Sequence, residues 1–345
     1  MKPYKTSSLD IAALAKVSQA TVSRALRNSP QVRPETRARI LQIARDLNYK
    51  TDRSAAGLRT GRSNTLALLL FEETPNEAQV NPFFLTMLGQ ITQAAARRGY
   101  DLLVSFQQFS EDFHTDYEVS RRADGLILLG YGDYLTYATR LQRLADSGAH
   151  FVLWGPALED QPGHFVACDN FAGARMATEH LLSLGRRRLA FVGGVTEDYP
   201  EFRLRYQGHL AALEAAGLRA DPRLQHTARS EEADGEAAVA HWARKRLAYD
   251  GVVCASDLIA LGVMRGLQQR GRRVPQDVAV VGFDDVAFAS HVSPPLTTVR
   301  QDTRAAGERL VDNLIRLIEG EPVSSQLIAP QLMVRQSCGG RPPAG

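Results

Sequence analysis

Cysteine, long apolar runs and catalytic signatures are all scarce in this chain. Its 345 residues include three cysteines, Cys168, Cys254 and Cys338, far apart and with none in a CxxC pair. That spacing argues against a disulfide framework or a zinc site. Cys168 and Cys254 lie beside apolar runs and read as small buried residues. No stretch approaches the ~18 apolar residues that a membrane span requires. Met1 to Asp10 is polar and lacks the apolar core of a secretion signal, so the expected compartment is the cytoplasm, with no membrane partner. Also missing are an HExxH pair, a Walker loop, a GxSxG elbow and a GxGxxG turn after a strand, and the eight histidines are scattered. Asp284 and Asp285 could suggest acid–base work, but adjacent residues at a strand end point to different sides and no nucleophile accompanies them. No catalytic residue, metal or cofactor is assigned, and an enzyme is not expected.

What is present is a chain that is 44% hydrophobic and 23% charged, long enough for more than one domain. Its net charge of +3 is unevenly spread. Residues 1–62 hold 13 Lys or Arg against 4 Asp or Glu, a net of +9, whereas the remainder holds 28 against 34, a net of −6. A basic head on an acidic body is the electrostatic footprint of a nucleic-acid binder, because phosphate attracts one and repels the other.

The head has an organised apolar pattern. Ser7-Ser8-Leu9-Asp10 is close to a capping box, with Asp in place of Glu, and predicts a short helix that turns Ile11, Leu14 and Ala15 inward. Ser18 is placed to cap a second helix that buries Val22, Ala25 and Leu26 and presents Gln19, Ala20, Ser23 and Arg24 outward. Pro34 suits the first position of a third helix, striped by Ile40, Ile43, Ala44 and Leu47. Three short helices around one small core suit a reader of the DNA major groove.

Asp10-Ile11-Ala12, Val17-Ser18, Thr21-Val22-Ser23-Arg24-Ala25-Leu26 and Asn48-Tyr49 resemble, in order and spacing, the head of the LacI/GalR repressor family. The resemblance implies base reading by Gln19, Ala20 and Arg24. The chemistry agrees: Gln bonds an adenine edge, Arg grips guanine and Ala packs on a thymine methyl. Ser18, Thr21 and Ser23 suit phosphate contacts, which position the helix without reading sequence. Two residues depart from the family pattern. Lys16 stands where the family has a turn glycine, which would cost about 1 kcal/mol if φ is positive there. Arg33 replaces the Ser or Thr that caps the third helix.

Residues 50–63 form a short polar segment. In the family the matching stretch becomes a hinge helix on DNA, with a leucine from each protomer wedged into the minor groove. The matching hinge residues here are Ala55 and Leu58, with Gly57 and Thr51 departing from the pattern.

From residue 64 onward strand-like runs alternate with helix-like stretches that stop at Gly99, Gly148, Gly185, Gly217 and Gly271. This predicts parallel sheets covered by helices, in two lobes. Asn81-Pro82-Phe83-Phe84, Ala255-Ser256-Asp257, Val281-Gly282-Phe283-Asp284-Asp285 and Pro295-Leu296-Thr297-Thr298-Val299 resemble the family's periplasmic-binding-protein-like effector domain. The fold class expected is therefore an all-α helix-turn-helix head over residues 1–49, the hinge over 50–63, and a two-lobed α/β effector domain over 64–340. By the resemblance, lobe 1 comprises about 64–163 and 292–326, and lobe 2 about 164–291 and 327–340. Ligands of such folds sit at the carboxyl ends of strands. The resemblance assigns Arg205 and Asp284 to grip ligand hydroxyls, with Ser256 as a further polar contact. Trp154 follows a strand where the family often has a polar group; because aromatic faces pack on sugar rings, it and Phe71 are expected to line the cleft. Asp257 and Asp285 read more simply as turn-capping residues, and Trp154 also suits the core. The implied function is a ligand-responsive repressor acting as a homodimer on a palindromic double-stranded operator, with a sugar or sugar derivative as effector and genes of carbohydrate uptake or catabolism as targets. A purine-like corepressor, a cytosolic sugar-binding protein and an enzyme are the alternatives. The chain's end, Arg341-Pro342-Pro343-Ala344-Gly345, lacks a leucine heptad, which favours a dimer over a tetramer.

Overall fold

A computed structural model describes residues 6–26, 28–49, 62–71, 80–107, 112–130, 134–158 and 161–340. The chain divides into two compact units, Met1–Ser63 and Asn64–Gly345. Ala55 and Leu58, expected in the hinge, lie outside the described residues.

The first unit contains three helices, α1 (Ser8–Ala15), α2 (Gln19–Leu26) and α3 (Pro34–Asp46). The capping box forms with aspartate. The Ser7 N–H donates to the Asp10 carboxylate at 2.7 Å, and the Asp10 N–H donates to Ser7 Oγ at 3.4 Å. Ser18 Oγ accepts from the Thr21 N–H at 3.2 Å and so caps α2. α3 begins at Pro34 with no side-chain cap from Arg33. The turn before it is tied instead by Arg37, whose guanidinium donates to the carbonyls of Ser29 and Val32 at 2.5 and 3.2 Å. Ile11, Ala15, Val22, Ala25, Val32, Ile40 and Ala44 form the core. Leu14, expected inward, is instead 59% exposed, and Ala12 is buried. On a helix advancing about 100° per residue, a face centred between Ile11, Ala12 and Ala15 leaves Leu14 roughly 100° off its middle.

The second unit has two sheets. The first comprises β1 (Thr65–Leu70), β2 (Asp101–Phe106), β3 (Leu126–Leu129), β4 (Phe151–Trp154), β5 (His164–Cys168) and β11 (Gln326–Ile328), in the order β11-β5-β4-β3-β1-β2. All its neighbours are parallel. The second comprises β6 (Leu189–Val192), β7 (Gln225–His226), β8 (Gly251–Cys254), β9 (Ala279–Asp284), β10 (Thr297–Arg300) and β12 (Gln331–Met333), in the order β12-β10-β9-β8-β6-β7, with only β12 antiparallel. Strands such as β3 are buried along their whole length, which is why they read as unbroken apolar runs rather than alternating ones.

Helices α4 (Pro82–Arg97) and α10 (Thr303–Ile318) cover one face of the first sheet, and α5 (Tyr134–Asp146) follows β3. α6 (Asn170–Ser183) pairs with α7 (Pro200–Ala215), and α8 (Glu232–Arg244) with α9 (Asp257–Gln268). Glycines permit both pairings. A Cβ at Gly208 would meet the carbonyl of Phe171, and one at Gly262 the carbonyl of Glu232.

The crossings between sheets come later than the bounds expected from the resemblance. β5 still belongs to the first sheet, and the chain crosses at Asp169 rather than near 163. β10 still belongs to the second, so the return comes at Gln301–Asp302 rather than near 292. The last crossing lies between β11 and β12, at 329–330 rather than near 326. In the first two cases the chain adds one more strand to the sheet it is leaving, after the Gly163 turn and after the Ser293-Pro294-Pro295 turn. Among the described residues no helix is long and apolar enough to cross a membrane.

Lys16 ends α1 at φ 51, in the left-handed region that disfavours a side chain. Lys16→Gly should therefore stabilise the first unit by about 1 kcal/mol, seen in the full chain as about fivefold slower amide exchange across α1 and α2. Unchanged or faster exchange would contradict the strain assigned to this turn.

Candidate functional site

On the first unit, Gln19, Ala20 and Arg24 stand exposed along α2. The residues proposed for phosphate flank them: Ser18 is exposed and Thr21 and Ser23 are half-buried. Ser18 and Thr21 share a hydroxyl–hydroxyl bond of 2.9 Å, and Gln19 Nε2 donates to Ser8 Oγ at 2.9 Å, parking the amide against α1.

The second unit gathers its polar groups where strands of the second sheet end. Arg205, on α7, is 1% exposed. Its guanidinium lies 3.7 Å from the centre of the Phe283 ring and 5.2 Å from that of Phe202, a placement that favours a cation over π-faces. Nε donates to Asn170 Oδ1 at 2.8 Å and Nη1 to the carbonyl of Ala255. Asp284 Oδ1 stands 3.7 Å from Nη1, a charge contact rather than a hydrogen bond. Nη2 is buried and has no acceptor among the described residues.

Asp284 ends β9 with φ 117, followed by Asp285 at φ 55. Neighbouring groups hold this unfavourable backbone. The Asp257 carboxylate accepts from the Val286 N–H at 2.9 Å and from Thr298 Oγ1 at 2.5 Å. Asp285 turns away from Asp284 and takes Arg300 Nε at 2.7 Å and Arg335 Nη2 at 2.6 Å. Asp284 accepts from Gln301 Nε2 at 2.6 Å. Burial pushes the carboxyls of both Asp284 and Asp257 above the ordinary range, Arg205 and Gln301 opposing this at Asp284 and Thr298 and the Val286 N–H at Asp257. Ser256 caps α9, accepting from the Ile259 N–H at 3.3 Å. It also accepts from Ser230 Oγ at 2.9 Å, which in turn accepts from Asn81 Nδ2 at 3.1 Å.

Phe71 and Trp154 come from the first sheet, at the ends of β1 and β4. With Tyr134, Tyr137, Pro156 and Glu201 they line a small pocket of about 20 Å³. Trp154 is both lining and core: it is 4% exposed and packs on Phe83 with ring centres 5.9 Å apart. Glu201 lies one helical turn before Arg205 on α7 and is 6% exposed. Burial pushes its carboxyl up to about 7, although its own backbone N–H and the charge of Arg205 draw it down.

The structure thus brings Arg205, Asp284 and the Ser256 turn together, and sets Phe71 and Trp154 in a pocket whose Glu201 adjoins Arg205. Glu201, Asn170, Tyr134, Tyr137 and Ser230 were not singled out from sequence. The Glu201–Arg205 spacing of four residues was the available signal, since it puts both on one helix face. Among the described residues no group of three or more His, Cys, Asp or Glu could hold a metal ion.

Residues 9–52 match the model of the bacterial regulatory proteins, lacI family, and residues 178–338 match the periplasmic binding protein-like domain. The chain is 33% identical over 335 residues to the HTH-type transcriptional regulator CelR of Thermobifida fusca, covering 95% of this chain and 96% of that protein. It is 35% identical over 345 residues to the HTH-type transcriptional regulator MalR of Streptomyces coelicolor, covering 96% of each. Among solved structures, a transcriptional regulator CelR–cellobiose complex superposes with a TM-score of 0.71 at 32% identity, over 96% of this chain and 99% of that one. A lac repressor dimer bound to operator and an anti-inducer shares the fold, with a TM-score of 0.81 at 24% identity, over 97% and 99% of the two chains.

The buried Glu201 has a folded-state pKa raised from 4.5 to about 7, so its contribution to stability is present below the lower value and lost as pH rises through the upper one. Glu201→Gln should accordingly raise the unfolding midpoint at pH 8 and change it little at pH 5, by thermal unfolding of the full chain. A larger gain at pH 5 than at pH 8 would show that the carboxyl is not destabilised by burial.

Proposed function

We propose, from the premise that this chain belongs to the LacI family of bacterial regulatory proteins and is a ligand-responsive transcriptional regulator, that it is a repressor whose operator binding is set by a sugar or sugar derivative held in the cleft. The reading is carried by one observation above all: Gln19, Ala20 and Arg24, side chains able to read base edges, stand exposed on one helix of a strongly basic unit.

In this mechanism a homodimer presents two α2 helices to successive major-groove segments of a roughly palindromic operator, protein symmetry matching DNA symmetry. Gln19, Ala20 and Arg24 read bases, while Ser18, Thr21 and Ser23 contact phosphates. Ala55 and Leu58 enter the minor groove between the two half-sites, the leucine as a wedge. The effector occupies the cleft, with Arg205, Asp284 and Ser256 bonding its hydroxyls and Trp154 and Phe71 packing on its ring. A polyol both donates and accepts, so it suits a guanidinium with an open Nη2 beside a carboxylate. Carbohydrate as the effector class, and carbohydrate genes as the targets, are supported by the cellobiose complex of one relative and by the name of another, the ribose operon repressor of Escherichia coli, 29% identical over 95% of this chain. Effector binding shifts the lobes, and with them the two hinges, only as far as it prefers one arrangement over the other.

Selection from a random DNA library by the full-length protein should enrich a site with two inverted half-sites. Arg24→Ala should then weaken that site by about 1–3 kcal/mol with little effect on random DNA. Enrichment of no sequence would reject the reading. With the selected site in hand, Arg205→Lys, which keeps the buried positive charge but loses the guanidinium fork, should leave operator affinity near normal but largely abolish the response to every sugar that alters it in the parent protein, as measured by titrating sugars onto the operator complex. A retained response would remove Arg205 from the effector site.

A further inference from the structure

We propose that the effector carries a protonated nitrogen, an amino sugar rather than a neutral one, and that Glu201 is the residue that selects it. This deepens, and rests on, the reading of the cleft as a sugar site.

The pocket beside Arg205 has an unusual chemical balance. Its walls are the rings of Phe71, Tyr134, Tyr137 and Trp154, with Pro156, and its one charged group is Glu201. Among the described residues no side chain donates a hydrogen bond to the Glu201 carboxylate, although the residue is 6% exposed. Arg205, four residues on, acts on it through its charge but makes no ion pair with it among the described residues. Its Nε and Nη1 are committed to Asn170 and to Ala255, its nearest carboxylate is Asp284, and its plane is held over Phe283.

The charges around the cleft point the same way. Glu201, Asp257 and Asp284 are all buried, and Arg205 is the one buried Lys or Arg among the described residues. Asp285 does not enter this balance, since Arg300 and Arg335 neutralise it on the other side of the turn. His209, also buried, is held neutral, its pKa lowered by burial to about 4. Burial thus penalises the charged form of all three carboxyls, and a cation placed beside one of them would offset that penalty.

An ammonium group matches what the pocket offers. It has three donors and no acceptor, and the pocket places a carboxylate among four aromatic rings, whose π-systems attract cations. Two buried donors stand without an acceptor among the described residues, Arg205 Nη2 in the neighbouring polar cluster and Gln161 Nε2 beside Gly155 of the pocket wall. The two halves thus divide the ligand: hydroxyls toward Arg205 and Asp284, the amine toward Glu201 and the rings.

The test compares matched pairs that differ only at the nitrogen, using the full-length protein at neutral pH and isothermal titration: glucose with glucosamine, galactose with galactosamine, and cellobiose with the β-1,4-linked glucosamine disaccharide. In at least one pair the amino member should bind about tenfold tighter or more. Its N-acetylated form, which has lost the charge, should lose that advantage. Glu201→Gln should bring the pair to near equality while Glu201→Asp keeps the preference, both variants retaining the parent's thermal midpoint to within a few degrees. Neutral members binding as tightly as, or tighter than, their amino partners would overturn the charge selection and leave the sugar reading standing. Binding by no member of any pair would overturn both. A preference that survives in Glu201→Gln would overturn the assignment to that residue.

Discussion

A guanidinium buried to 1% exposure is the constraint around which the second lobe is organised. Arg205 cannot shed its charge, so its surroundings must supply acceptors. They come from separate parts of the chain: Asn170 at the start of α6, the Ala255 carbonyl between β8 and α9, and Asp284 at the end of β9. Phe283 and Phe202 supply the faces. Breaking such a buried pair from one side costs about 3–5 kcal/mol, because the other charge stays uncompensated. The strand ends of this lobe are therefore held in register by an electrostatic requirement as well as by their apolar core. Asp284 is held at φ 117 by a second set of bonds, centred on Asp257 and Thr298, that does not touch Arg205. The one guanidinium nitrogen left without an acceptor is where this network is incomplete.

The same cluster is joined to the segments that connect the lobes. Asn170 directly follows the crossing at Asp169, and Gln301, which donates to Asp284, lies in the crossing after β10. Two of the three connections thus contribute a side chain to the charge cluster. From the opposite side, Asn81 caps α4 and donates to Ser230, which donates to Ser256, the cap of α9. Helix starts in both lobes are bonded through one hydroxyl. A group entering this cleft competes with, or completes, bonds whose other ends belong to the connections themselves. This is the physical form that coupling between a ligand and lobe geometry requires: differential contacts in an element with more than one arrangement.

The features that could be read from the chain were those with local causes. Fully buried strands such as β3 and β9 announce themselves as apolar runs, and Ser7, Ser18 and Pro34 mark helix starts by chemistry within three residues. Arg205 and Asp284 emerged only through resemblance, since nothing local distinguishes a buried Arg in Arg203-Leu204-Arg205 from a solvated one. By contrast β7 has two residues, β11 and β12 have three each, and β10 is half threonine, so none of them shows an apolar run. Which sheet β5 and β10 join depends on pairing with distant strands, so the crossings taken from the resemblance fell short of where this chain makes them. Leu14 failed for a related reason. Over an eight-residue helix two apolar faces are available, and the choice of Ile11, Ala12 and Ala15 is made by where α2 and α3 lie. Glu201 was hidden because an acid in the first turn of a helix is ordinary, and only the tertiary fold encloses it with rings.

The first unit resolves a conflict between stability and charge. Its core is small and half alanine, so it buries little area per residue. Lys16 occupies a left-handed turn, and Arg33 stands at the positive end of α3 without capping it. Each choice lowers the stability of the unit alone, and the excess of 13 basic over 4 acidic residues in 1–62 adds self-repulsion. Arg37 recovers part of this by donating to the carbonyls of Ser29 and Val32, which ties down the turn before α3 without supplying the acceptor that a capping hydroxyl would. The remaining repulsion is of a kind that phosphate removes, since neutralising a lysine or arginine on DNA relieves its neighbours as well. A unit built this way is favoured most where negative charge surrounds it, so its folding free energy and its affinity for a polyanion are two readings of the same electrostatic term.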